Sequence, residues 1–196
     1  MIRLQILPPW LTLLAGDSFT IGFTALNGIK RWPWMREKND EIKQEPLLAI
    51  HDQTGKRKLG PMEFRELMPK DATVTSVHRH SRPRFHAMLL EQMSRIGLEV
   101  EYGREAVDFF EDNELGSAGI KFKDGSSVSG DLVVAADGVR TASWSIVAGR
   151  PVPARSSGNA MYRVAYPVEL AMNDPEVAER FRLNDDGRPI AEMWLG

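Results

Sequence analysis

Asp131-Leu-Val-Val-Ala-Ala-Asp-Gly-Val-Arg140 is the stretch on which the reading of this fold turns. Leu132 to Val134 form a short, β-branched apolar run, the mark of a strand buried on both faces. Asp137-Gly138 then breaks the run. Glycine reaches backbone conformations that a Cβ forbids, so the chain can turn sharply there and pass close to a ligand. Thr141 to Val147 reads as a helix, with Gly149 and Pro151 ending it. Ligands of open α/β sheets bind at the carboxyl ends of strands, where such turns lie. A carboxylate at that place suits ribose hydroxyls or ordered water near a dinucleotide phosphate. An Asp-Gly pair after a strand is also an ordinary turn, and only its surroundings separate the two readings.

Upstream, Asp124-Gly125 is a strong two-residue hairpin signal. Val100–Tyr102, Ile120–Lys123 and Ser127–Ser129 read as short strands that deliver the chain to the Asp137-Gly138 turn. Before them lies a helix. Ser81 is its expected N-cap, Pro83 suits its first turn, and Gly97 suits its C-terminal cap. Phe85, Met88, Leu89, Gln92 and Ile96 follow the helical period, so that face is expected to pack in the core. Arg82 would sit beside the unpaired N–H groups of the helix start, a natural anion site, although a surface arginine at a helix start is the plainer reading. Residues 47 to 66 read as a hairpin turning at Thr54-Gly55. From Gly16 to Trp32 a glycine-punctuated start leads into a helix with Ala25, Leu26 and Ile29 on one side. Past Pro153, residues 158 to 168 alternate like a half-buried strand. Asp174 to Phe181 reads as a short helix with Asn173 as its cap.

With 196 residues, 42% of them hydrophobic, the chain is long enough to bury a core, and a net charge of −2 gives no reason to expect a nucleic-acid partner. It has no cysteine. That excludes disulfides, thiolate metal sites and cysteine nucleophiles, and it fits a cytoplasmic protein. Residues 1 to 17 loosely resemble a secretory signal, but Pro8-Pro9 interrupts the apolar run, no clean cleavage site follows, and the run is too short to span a membrane. The Gly-Lys-Arg-Lys run at 55 to 58 reads as a solvated hairpin tip. His78, His80 and His86 cluster in sequence without a carboxylate or cysteine at ligand spacing, so no metal is expected. No nucleophile elbow or Walker-type loop occurs. Trp32-Pro33-Trp34 reads as packing.

The segment Asp131-Leu-Val-Val-Ala-Ala-Asp-Gly-Val-Arg-Thr141 resembles the "D-L-hydrophobic-G-A-D-G-x-x-S" stretch of the FAD-dependent aromatic hydroxylases, the p-hydroxybenzoate and salicylate hydroxylase type. Ala135 stands where that family usually has Gly, Thr141 where it has Ser, and Trp144 where Arg is common. The 16–32 stretch resembles the family's "G-A-G-I-x-L-G-P-N-A-x-R" segment beside the flavin, with Gly16, Thr20, Gly22, Ala25 and Arg31 in register and Thr24 replacing the usual Asn. Arg82-x-x-Phe85-His86-x-x-Leu89 is similar to "R-x-x-L-H-x-x-L", whose arginine approaches the cofactor. Tyr162-Arg163 resembles a "Y/F-R" pair on the substrate-side sheet.

The resemblance implies an α/β fold: an incomplete Rossmann-like flavin-binding domain interleaved with part of a β-sheet substrate domain. Residues 1–45 and 78–150 would belong to the flavin-binding part, 46–77 and 151–196 to the substrate side. It implies FAD as cofactor, bound by Gly22, Arg82, Asp137, Gly138 and Thr141, NAD(P)H as electron donor, and a small aromatic substrate met by Arg163. The family's opening Gly-x-Gly-x-x-Gly unit and its later Gly-Asp motif do not occur in this sequence. The expectation is therefore the middle of a larger monooxygenase, binding FAD weakly or not at all as an isolated chain. Two alternatives stay open: a non-catalytic binding or interaction protein derived from the flavoprotein fold, and an unrelated α/β domain.

Overall fold

The computed structural model describes residues 18–68, 77–138, 141, 143–153, 155–159, 168–170, 172–180 and 185–195. They fall into two units, one within 97–162 and the other within 13–96 and 163–196.

The larger unit is built on a two-stranded ribbon and a three-stranded sheet. Strand β1 (Ser18–Ile21) pairs antiparallel with β4 (His78–Ser81), setting Phe19 opposite His80 and Ile21 opposite His78. Three helices accompany the ribbon: α1 (Phe23–Lys30), α2 (Pro33–Ile42) and α3 (Arg82–Arg95). Leu26 and Ile29 of α1, Met35 of α2 and Met88 of α3 form the core cluster, with Ile21, Trp34, Ile42 and Phe85 packed on it. Burial of each such side chain stabilises the unit by about 1.5–3 kcal/mol. The helical period of α3 turns Met88 and Gln92 inward and leaves Leu89 and Ile96 exposed. Ala25, expected on the buried side of α1, is exposed. Ser81 is the N-cap of α3, although its hydroxyl makes no capping bond. Gly97, at φ +71°, follows the last turn as expected.

In the second sheet β2 (Leu47–Asp52) lies between β3 (Arg57–Met62) and β8 (Ile190–Leu195). The β2–β3 hairpin turns as the sequence suggested. Gly55 takes φ +83°, and the Asp52 carboxylate accepts hydrogen bonds from Thr54 N–H (2.9 Å), Thr54 Oγ1 (2.6 Å) and Lys56 N–H (3.1 Å). Strand β8 joins β2 in parallel, Leu47 opposite Ile190. Alternation along β2 buries Leu47, Ala49 and His51 on one side. A short helix α5 (Pro175–Arg180) precedes β8. Its cap is Asp174 and not Asn173: the Asp174 carboxylate accepts the N–H groups of Glu176 (2.9 Å) and Val177 (3.2 Å).

The smaller unit carries an antiparallel meander of β5 (Ala106–Asp112), β6 (Ser117–Phe122) and β7 (Ser127–Gly130). Asp124-Gly125 makes the β6–β7 turn, with Gly125 at φ +81°. Val100–Tyr102, expected as a strand, is irregular, and β5 takes that place in the sheet. A register shift between Ala106 and Asp108 interrupts the alternation of β5, which hides its period from sequence reading.

Leu132–Val134 needs the larger correction. It belongs to no strand among the described residues, and Leu132 and Val134 are 79% and 77% exposed. The residues have strand chemistry, but no described segment pairs with them as a strand, and of the three only Val133 is half-buried. The expected helix after the turn is present as α4 (Trp144–Ala148), with Gly149 at φ +63° ending it. The 158–168 strand, Tyr162-Arg163 and the 1–17 segment lie outside the described residues apart from a few positions. No helix among the described residues is long and apolar enough to cross a membrane.

Candidate functional site

Within the larger unit, the ribbon positions two of the expected site residues. Gly22 follows β1 and is the N-cap of α1; Arg82 follows β4 and opens α3. Because the strands are antiparallel, the two helix starts lie at opposite ends of the ribbon, one residue beyond each end and so five residue steps or about 17 Å apart along it. They form two stations and not one pocket. A span of that length suits an elongated ligand more than a single phosphate.

Gly22 has ordinary extended geometry, φ −92° and ψ 178°, and a Cβ there would meet nothing within 4 Å. The backbone does not require glycine. Its effect is to leave the first-turn N–H groups of α1 uncovered, and such groups attract anions. At the other end, the exposed Arg82 guanidinium lies over the Phe19 ring, 5.3 Å from its centroid. Phe19 packs edge-on against Phe85 at 5.2 Å. The cation is thus held over an aromatic face while its N–H edges stay open to solvent.

Within the smaller unit, Asp131 to Ala136 runs without regular secondary structure into Asp137-Gly138, and Gly138 takes φ +82°, a conformation that favours glycine. A Cβ on Gly138 would meet nothing within 4 Å, so the turn stands open to an approaching group. Thr141 closes the turn: its N–H donates to the Gly138 carbonyl at 3.1 Å. Its Oγ1 accepts the Ser143 N–H at 3.1 Å and lies 2.7 Å from Ser143 Oγ. The hydroxyl is thereby occupied in shaping the start of α4. The sequence reading gave it only a ligand role.

The two Asp-Gly turns of this unit make a natural comparison. Both glycines have the same backbone form, yet the aspartates differ. The Asp124 carboxylate accepts hydrogen bonds from Ser126 Oγ and Ser126 N–H, and the Arg104 guanidinium donates to it at 2.7 Å. Those bonds, the Ser126 hydroxyl first, hold its pKa below the usual carboxylate value. Arg104 is in turn bound to Glu101 and Ser126 and lies over the Phe122 ring. Asp137 makes no such bond among the described residues. It is exposed at the edge of a small recess of about 80 Å³ that it shares with Arg104, Phe122 and Val134. One aspartate is committed to its turn, and the other is exposed and carries no such bond among the described residues. Gly138 and Thr141 also border a second, open and mainly apolar groove of about 1200 Å³, whose walls include Phe110, Leu132, Val134 and Trp144.

Sequence reasoning missed the Arg104 network and the burial of His78 and His80. The first was hidden because its members are dispersed over Glu101 to Ser126. The second had a visible signal: His78-Arg-His-Ser81 alternates as a strand with one face turned in.

No family model matches the chain. It is 36% identical over 193 residues to the FAD-dependent monooxygenase fsr3 of Gibberella fujikuroi, an alignment covering 96% of this chain and 36% of that protein. It is 35% identical over 191 residues to the FAD-dependent monooxygenase AacuC of Aspergillus aculeatus, covering 92% and 36%. Among solved structures, that of CtdE in complex with FAD and a substrate superposes with a TM-score of 0.75 at 21% identity, over 92% of this chain and 42% of that one. The chain spans about a third of the length of the curated relatives it matches.

Proposed function

Because this chain belongs to the FAD-dependent monooxygenase family, we propose that it supplies part of the flavin site of an enzyme that hydroxylates an aromatic or related small organic substrate. In that reaction NAD(P)H, a proton, O2 and R–H yield NAD(P)+, water and R–OH. Bound FAD supplies the redox and oxygen chemistry, and the protein binds and orients it.

The chain's own groups fit an elongated dinucleotide. Asp137 offers a carboxylate acceptor for a cofactor hydroxyl, and Gly138 lets that group come close to the backbone. Thr141 holds the turn in shape. The α1 start at Gly22 and the Arg82 guanidinium offer two positive stations for phosphate oxygens. In this assignment 1–45 and 78–150 serve the flavin, and 46–77 and 151–196 serve the substrate, with Arg163, outside the described residues, on the substrate side. The observation that carries the reading is the open turn beside Asp137: Gly138 takes φ +82°, and a Cβ there would meet nothing within 4 Å, which leaves room for a cofactor group to come close to the backbone.

The test is a chimera in which this chain replaces the matching stretch of fsr3. Asp137→Ala should lower FAD affinity or slow NAD(P)H-driven flavin reduction about ten- to a hundredfold, the usual effect of losing a hydrogen bond to a charged group. Asp124→Ala should leave flavin content and reduction near those of the parent chimera. Equal behaviour of the two variants would remove Asp137 from the cofactor site.

A further inference from the structure

The core-facing side of the β1–β4 ribbon carries two histidines. His78 and His80 alternate with Arg79 and Ser81, so both rings turn inward. His80 is 0% exposed, and neither of its ring nitrogens has a hydrogen-bond partner among the described residues. Its neighbours are rings: Phe85 of α3 with its centroid at 5.0 Å, Phe19 of β1 at 6.1 Å and His78 at 6.1 Å. His78 is also buried, but it has polar company. Its Nδ1 lies 3.0 Å from Nδ2 of the buried Asn39 on α2, and its Nε2 lies 3.8 Å from the Glu45 carboxylate.

We propose that the seam between the β1–β4 ribbon and helices α2 and α3 is a proton-sensitive joint, closed on a neutral His80 and opened when that ring takes up a proton. A neutral imidazole in this place leaves one N–H donor unsatisfied. An imidazolium would bury two donors and a full charge with no acceptor among the described residues, a far larger penalty. The charged groups around the pair do not relieve it. On and after α2, Asp40 and Glu45 favour a proton on His78, while Lys43, and Lys30 of α1, oppose it. At His80 the charge influences are His78 and Lys43, both opposing; β1 and α3 present the Phe19 and Phe85 rings, and the Arg82 guanidinium at the start of α3 lies over Phe19 and adds a further positive charge on that side. Burial first, and these cations second, keep both imidazoles less basic than usual.

The direction of the pH effect follows from this. An opened ribbon exposes histidines of ordinary pKa, about 6.5, whereas the closed ribbon resists protonation. The closed form is therefore fully favoured above about pH 6.5 and loses ground as pH falls, about tenfold per pH unit for each histidine that must charge. Gly22 and Arg82 stand at the two ends of this ribbon, so opening would unseat both helix starts. The joint itself does not depend on FAD being the ligand there.

Amide hydrogen exchange on the 196-residue chain between pH 7.5 and 5, corrected for the intrinsic pH dependence of exchange, tests the proposal. The opening constant of residues 18–21 and 78–81 should rise at least about tenfold by pH 5.5 and about thirtyfold by pH 5. The β5–β6–β7 meander should stay unchanged as the internal reference. His80→Phe, which keeps an aromatic ring and removes the nitrogens, should take away the His80 share of the slope. If that variant does not fold, imidazole nitrogen shifts of the unaltered chain decide the matter. A His80 that stays neutral while the ribbon is closed supports the joint. A His80 that protonates near pH 6.5 with the ribbon still protected overturns it, as does ribbon protection that is constant over the range.

Discussion

Gly60→Ala is expected to damage the β3–β2–β8 sheet, and the structure separates two causes. Gly60 takes φ +79°. An L-residue held in that region costs about 1–2 kcal/mol. The second cause is space. Strands β2 and β3 pair Leu48 with Met62 and Ile50 with Leu59, so Ala49 faces two residues, Gly60 and Pro61, at a bulge. A Cβ on Gly60 would overlap the Leu48 carbonyl oxygen and come within 3.0 Å of the Ala49 Cα. Both are backbone atoms of the central strand and cannot rotate away. Forcing a methyl group into such a place costs about a further 1–3 kcal/mol, for a total of about 2–5 kcal/mol. Gly55 provides the control. It has φ +83° in the same hairpin, and a Cβ there would meet nothing within 4 Å. Gly55→Ala should therefore show the conformational part alone, about 1–2 kcal/mol. Urea unfolding of the two variants, followed through the sheet by exchange of the β2 amides, measures the difference. Equal losses would mean that β3 can shift away from β2 freely, and the reasoning about the bulge would fail.

Two further outcomes follow from the same geometry. The ammonium of Lys58 at 2.8 Å, and then the Thr54 hydroxyl, hold the Asp52 pKa at about 2. Its folded-state value is depressed, so its contribution to the hairpin is whole above about pH 4 and is lost as pH falls towards 2; Asp52→Ala should flatten the acid-unfolding curve in that window, and superimposable curves would refute the pairing. Leu132→Ser should change stability by no more than about 0.5 kcal/mol, because the side chain lies in solvent; a loss of about 2–5 kcal/mol in thermal or urea unfolding would show that the side chain is covered after all.

Local signals read well from the sequence because their causes are local. The β2–β3 and β6–β7 turns, the α3 caps and the left-handed glycines at 97, 125, 138 and 149 each depend on a few adjacent residues. What failed depended on distant partners. Leu132–Val134 has the composition of a buried strand, but a strand requires a pairing neighbour, and no described strand provides one. Strand β5 was missed because a bulge breaks its alternation. The full bonding of Asp124 could not be seen in its Asp-Gly pair, because one of its partners is Arg104, twenty residues upstream. The burial of His80 likewise depends on Phe19 pairing with it from the far side of two helices and a hairpin.

The parallel pairing of β2 with β8 bears on the order in which the protein can form as it is made. Leu47 waits for Ile190, and at ribosomal speeds of about 5–20 residues per second, roughly 140 residues of synthesis take about 7–30 s. Hairpins close within microseconds, so the β2–β3 hairpin and the whole β5–β6–β7 meander have time to form first. Throughout that interval the outer edge of β2 presents unpaired N–H and C=O groups beside apolar side chains, a template for pairing with other nascent chains. A ribosome that stalls after the meander would leave the meander formed and the β3–β2 hairpin of the larger unit without its third strand.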